Sequence, residues 1–136
     1  MKANLKKFFG LAALGMTLLI NAAPLLAGYQ YKPQVGIFND NGYLWASGSM
    51  VGARYSADTK QNIGCTAYTY PTYSWTACFA TNSAGNSLVC GSGDPRWASV
   101  VQGMTDSSII QFELGYNVNG GDCKAILIWN GSDYLR

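Results

Sequence analysis

Histidine is absent from all 136 residues. Its absence removes the imidazole base that serine and cysteine hydrolases use to activate a nucleophile. It also removes histidine-ligated zinc and copper sites and any pH switch built on imidazole. Charge is scarce as well, at 12% of residues, and the charges are scattered. A basic stripe that would track a phosphate backbone is missing, so nucleic acid is not an expected partner. The four cysteines include no Cys-x-x-Cys pair, which argues against a zinc ribbon or a redox-active dithiol.

Most of the formal +2 charge sits at the N-terminus. Lys2, Lys6 and Lys7 precede an uncharged, mostly apolar run from Phe8 to Ile20, followed by Ala22, Ala23 and Ala27. This is the three-part layout of a secretory signal, and the run is too short for a membrane span. Cleavage is expected after Ala27, because a cut after Ala23 would meet Pro24. Removing residues 1–27 from 136 leaves 109, enough for one domain at 28–136 with a modest core. Its six Lys and Arg against seven Asp and Glu give a net charge of −1. The mature protein is therefore expected to be secreted or periplasmic, without a membrane span. In such an oxidising compartment Cys65, Cys78, Cys90 and Cys123 read as two disulfides.

Periodicity then predicts the elements. Asn41-Gly42 between short apolar runs marks a hairpin. Gly48 to Tyr55 reads as an irregular strand, and Ser56 to Gln61 as a polar turn. Cys65–Tyr70, Thr76–Thr81 and Ser87–Cys90 read as strands, with Ser83-Ala84-Gly85 as a three-residue hairpin loop. That loop places Cys78 opposite Cys90, which favours Cys78–Cys90 with Cys65–Cys123, while all three pairings stay open. Trp97, Val100, Val101 and Met104 fall on one face of a helix over 95–103. Ser108–Leu114 alternates, Asn119 to Asp122 reads as a turn, and Cys123–Trp129, apolar on both faces, predicts a central strand. Trp97 and Trp129 are expected in the core. The fold class is α+β: a mainly antiparallel sheet with one amphipathic helix packed on it.

Few groups remain for catalysis. Asp94 and Glu113 are the one carboxylate pair to weigh for glycoside hydrolysis. Six of the seven acids, however, adjoin turn residues, where aspartate caps and closes turns. Lys60 and Lys124 occupy polar or alternating segments suited to solvated lysines. Asn39 to Gly42 and Asn117 to Asp122 offer oxygen ligands but lack the spaced carboxylates of a calcium loop. No metal and no cofactor are expected. Cys90-Gly-Ser-Gly-Asp94-Pro95 resembles a phosphate cradle at a helix start. Asp94 as N-cap would occupy the free N–H groups, and Pro95 removes one donor.

The aromatics carry the functional lead. All nine Tyr and four Trp lie beyond residue 27. Tyr68, Tyr70, Tyr73 and Trp75 crowd one threonine-rich strand-and-turn region. Exposed, they would form a flat apolar surface with polar tips, suited to sugar rings or a protein partner. The structural alternative is a second small core beneath the Pro71 turn.

Ser56, Ala57 and Asp58, then Gly64-Cys65, Cys78, Cys90, Asp94 and Cys123, form a pattern that resembles a loose group of small secreted bacterial proteins. The resemblance spans Gly48 to the end and implies secretion and the fold, with no catalytic residues. Periplasmic lysozyme inhibitors offer a second comparison, but Ser47-Gly48 lacks the tyrosine of their inhibitory loop. The expected function is a non-enzymatic exported binding or assembly domain with a protein or glycan partner. Self-assembly by strand addition is open to it. An envelope-enzyme inhibitor or immunity-type protein, and a small carboxylate hydrolase, are the alternatives.

Overall fold

The hairpin at Asn41-Gly42 forms because both residues adopt positive φ, 51° and 90°, as a two-residue turn matched to strand twist requires. In the computed structural model, which describes residues 31–116 and 121–131, it joins β1 (Gly36–Asp40) to β2 (Tyr43–Ser49). Helix α1 (Met50–Arg54) follows directly, its N-cap Ser49 accepting from the Gly52 amide at 3.1 Å. The expected irregular strand over 48–55 is thus the end of β2 and one short helix. Glycine-interrupted alternation concealed the cap.

Strands β3 (Asn62–Thr69), β4 (Ser74–Thr81) and β5 (Ser87–Ser92) form an antiparallel sheet in that order. Helix α2 (Pro95–Gln102) and strands β6 (Ile109–Gly115) and β7 (Ala125–Trp129) complete the described elements. The second sheet runs β1-β2-β6-β7. The α+β class with antiparallel strands and two disulfides holds, but the strands divide into two sheets and a second, short helix is present.

Inner residues of both sheets share one hydrophobic cluster. Ala46, Ile110, Phe112, Leu114 and Ile126 come from one sheet, and Ile63, Cys65, Cys78, Ala80 and Cys90 from the other. Helix α2 packs on β3, β4 and β7, with Ala98 and Val101 buried. The alternation read for β6 places Ile110, Phe112 and Leu114 inward. β7, by contrast, is an edge strand, and Leu127 and Trp129 are exposed. Its two-sided apolarity therefore does not mean two covered faces, and Trp129 is not a core residue. Trp97 does pack against the core.

The disulfides are Cys65–Cys78 and Cys90–Cys123, not the favoured Cys78–Cys90 with Cys65–Cys123. The expected register was right, since Cys78 lies opposite Cys90. But Cys78 is on the middle strand and also lies opposite Cys65. A residue of an antiparallel strand turns its N–H and C=O to one side, so it makes a close non-hydrogen-bonded pair with only one neighbour. The 4.0 Å Cα separation of Cys65 and Cys78 is that close pair. Cys90 turns instead to Cys123, where residues 121–123 run beside β5 through bonds from Gly91 N to Gly121 O (2.7 Å) and from Cys123 N to Gly91 O (3.0 Å). This second disulfide ties one sheet to the segment that enters the other.

The exported setting retains its support: two disulfides suit a secreted or periplasmic protein. Among the described residues no helix is long and apolar enough to cross a membrane. The expected signal segment, and residues 117–120 of the second candidate calcium loop, lie outside the described residues.

Candidate functional site

Alternation divides the three-stranded sheet into two faces. Ile63 and Cys65, then Thr76, Cys78 and Ala80, then Cys90 point inward and are buried. The residues between them point outward: Thr66 and Tyr68, Trp75, Ala77 and Phe79, and Val89. Across the whole outward set of β3, β4 and β5, from Asn62 to Gly91, no side chain is charged.

Two outward rings lie flat on this sheet because glycines sit beneath them. A Cβ on Gly64 would come within 2.9 Å of the Phe79 ring, and one on Gly91 within 2.5 Å of the Trp75 ring. Neither glycine could be replaced without lifting a ring, so the smooth surface is written into four positions. Tyr68 stands directly across from Trp75. At the sheet's end the chain turns through Pro71-Thr72, closed by the Tyr70 amide donating to the Tyr73 carbonyl at 2.8 Å. The Tyr70 and Tyr73 rings stack with centroids 4.6 Å apart.

All four aromatics singled out in the sequence are exposed: Tyr68 by 53%, Tyr70 by 51%, Tyr73 by 59% and Trp75 by 46%. The alternative of a small core beneath the Pro71 turn is therefore not what forms. The structure adds Phe79 and Val89, also exposed, to the same face. Their signal was present in the sequence. Phe79 shares strand parity with Trp75 and Ala77, and Gly64 lies opposite it.

Beside the Tyr70–Tyr73 tip an open cleft of about 510 Å³ separates the hairpin from α2. Thr69, Thr72 and the two tyrosines form one wall, and Ser99 and Gln102 belong to the other. Its lining contains no charged side chain.

The other candidates have structural partners. The Asp94 carboxylate caps α2 through the Arg96 amide at 2.9 Å and also binds the Arg96 guanidinium. Those bonds hold the Asp94 carboxyl below its ordinary range. The Asp94 amide in turn donates to Ser92 Oγ at 3.2 Å. The Gly-Ser-Gly stretch is thus a capped joint, with a carboxylate where a phosphate would have to sit. Glu113 lies on the outer face of the other sheet, where it accepts from the Tyr43 hydroxyl and from Gln111 Nε2 (2.8 Å). The hydrogen bond to Glu113, then burial, then the carboxylate's charge raise the Tyr43 pKa. Asp94 and Glu113 thus serve separate partners on separate elements.

Asn39 to Gly42 is the hairpin turn itself, with Asn39 Oδ1 accepting from the Gly42 amide at 2.8 Å. The Ser56-Ala57-Asp58 stretch is likewise a joint. Asp58 accepts from the amides of Lys60 (2.9 Å) and Gln61 (2.8 Å) and from the Gln61 side chain. The Gln61 side chain is the largest cause, with both amides helping, and the Asp58 pKa falls to about 2. Gln61 in turn accepts from the Val35 amide at 2.8 Å, fixing the lead-in to β1. In comparisons with family models, curated proteins and solved structures nothing matches this chain.

Proposed function

We propose that this protein is an exported, non-enzymatic binding domain that meets its partner through the outer face of β3–β5 and the adjoining Tyr70–Tyr73 turn. One observation carries the reading: a contiguous, uncharged, aromatic sheet face is left exposed and kept flat by glycines. Exposed apolar patches on small soluble domains mark interaction surfaces, because open water is an unfavourable place to leave them. Tyrosine and tryptophan suit such contacts, offering large rigid area with a polar tip. The absence of histidine and the structural occupation of Asp94 and Glu113 are why a binding role is preferred to hydrolysis.

The test is site-specific photo-crosslinking in intact cells. A photoreactive residue in place of Val89 should give a discrete adduct, weakened by Tyr68→Ser or Trp75→Ser. The same probe in place of Leu127, on the other sheet, should not. Equal adducts from both positions, or none from Val89, would refute the assignment of this face.

A further inference from the structure

The cleft beside the hairpin tip has a chemistry distinct from the flat face. Its walls bring together the hydroxyls of Thr69, Tyr70, Thr72, Tyr73 and Ser99 and the amide of Gln102. Each can donate or accept, and none carries charge at neutral pH. The nearest charged pair is accounted for: Asp94 and Arg96 bind each other at the head of α2. An anion gains nothing here, since Asp94 caps the helix and Pro95 lacks an amide N–H. A cation meets no free carboxylate in the lining. Both tyrosines are more than half exposed, leaving ring area open to a ligand beyond their mutual stack. At about 510 Å³ the space falls in the range of small-molecule sites.

A ligand matching these walls has many hydroxyls, apolar C–H faces and no charge. We infer that the cleft is a binding subsite for a neutral pyranose oligosaccharide, with a sugar face against Tyr73 and the ring hydroxyls bonded by Gln102, Ser99 and Thr72. The inference rests on the binding-domain reading and deepens it, because Tyr70 and Tyr73 of the adjoining turn belong to the lining of the cleft.

Isothermal titration of the oxidised protein with cellotetraose, chitotetraose and, as an acidic control, tetragalacturonate tests this directly. The expected result is one-to-one binding of at least one neutral tetrasaccharide. The acidic one should bind at least tenfold more weakly. The cellulose and chitin arms distinguish a plain hexose from an N-acetylated one. Tyr73→Ala and Gln102→Ala should each weaken binding about tenfold or more with Tm within about 2 °C of the parent. Gln102→Glu, which places a charge in the cleft, should weaken it further at pH 7 than at pH 4. The inference is overturned if neither neutral sugar binds at millimolar concentration, or if binding is unmoved by Tyr73→Ala and Gln102→Ala. In either case a Val89 adduct from the crosslinking test would leave the binding-domain reading standing without its sugar. Loss of both results would remove the two together.

Discussion

The two sheets treat their outer aromatics differently. On β1-β2-β6-β7, Phe38 stacks on Trp45 with centroids 4.0 Å apart, and Tyr43 meets Tyr116 edge to face while bonding Glu113. Tyr31 and Pro33 of the lead-in come beside Ile109 and Trp129. Phe38 is also exposed and lies over glycine, since a Cβ on Gly36 would come within 2.3 Å of its ring, but polar Gln111 and charged Glu113 run through the middle of that face. On β3–β5, Phe79 and Trp75 lie over glycine backbone in an outward set without a charged side chain. Aromatic content alone therefore does not mark a binding surface. The distinction lies in the setting: a carboxylate interrupts one face, and the outward set of the other holds no charged side chain.

The largest effect should come from cutting the tie between the sheets. Replacing Cys90 and Cys123 with Ala opens a separation of 33 residues, against 13 for Cys65–Cys78. Loop-closure entropy puts the losses at about 4 and about 3 kcal/mol. Urea melts of the two double variants should rank them in that order. The reverse ranking would mean that the three-stranded sheet depends on its own crosslink more than on its partner sheet.

Next are paired ring deletions on the two faces. Trp45→Ala removes a half-buried ring from a stack and should cost about 2 kcal/mol while sparing the Val89 adduct. Tyr68→Ser, on the open face, should change stability by less than about 0.5 kcal/mol and weaken the adduct. If Tyr68→Ser proved the more destabilising change, the contrast between the faces would fail.

The capped joints should respond more modestly. Asp94→Ala should lower Tm by about 3–6 °C through loss of the α2 cap, leaving sugar binding intact. Lost binding at unchanged Tm would instead make Asp94 part of the site. The smallest effect belongs to Asp58, and it depends on pH. Its folded pKa of about 2 lies below the ordinary 3.8, so the ionised form is favoured by folding. Its contribution is whole above about pH 4 and is lost as pH falls toward 2. The Tm difference between the parent and Asp58→Asn should therefore shrink between pH 5 and pH 2. A constant gap would mean that the turn needs only the shape of the side chain.

Local physics made several features legible in advance. Asn41-Gly42, Gly85 in the left-handed region (φ 90°), and Asp94-Pro95 ahead of α2 each act within a few residues. The inward alternation of Ile110, Phe112 and Leu114 was equally plain. The Tyr68–Trp75 cluster was visible as composition, but not its exposure. Phe79 and Val89 join it only because β4 lies between β3 and β5 with Gly64 and Gly91 under the rings.

What the chain order determines by itself is the short-range part: turns, caps, strand parity, an even set of cysteines, and a composition without imidazole. Tertiary structure decided which strands share a sheet, that β7 is an edge, and that Cys78 joins Cys65 while Cys90 joins Cys123. The physical reason is that a middle strand offers each residue two opposite neighbours. Only the lateral order of strands, set by burying Phe112, Ile110 and their partners in one shared core, selects between them.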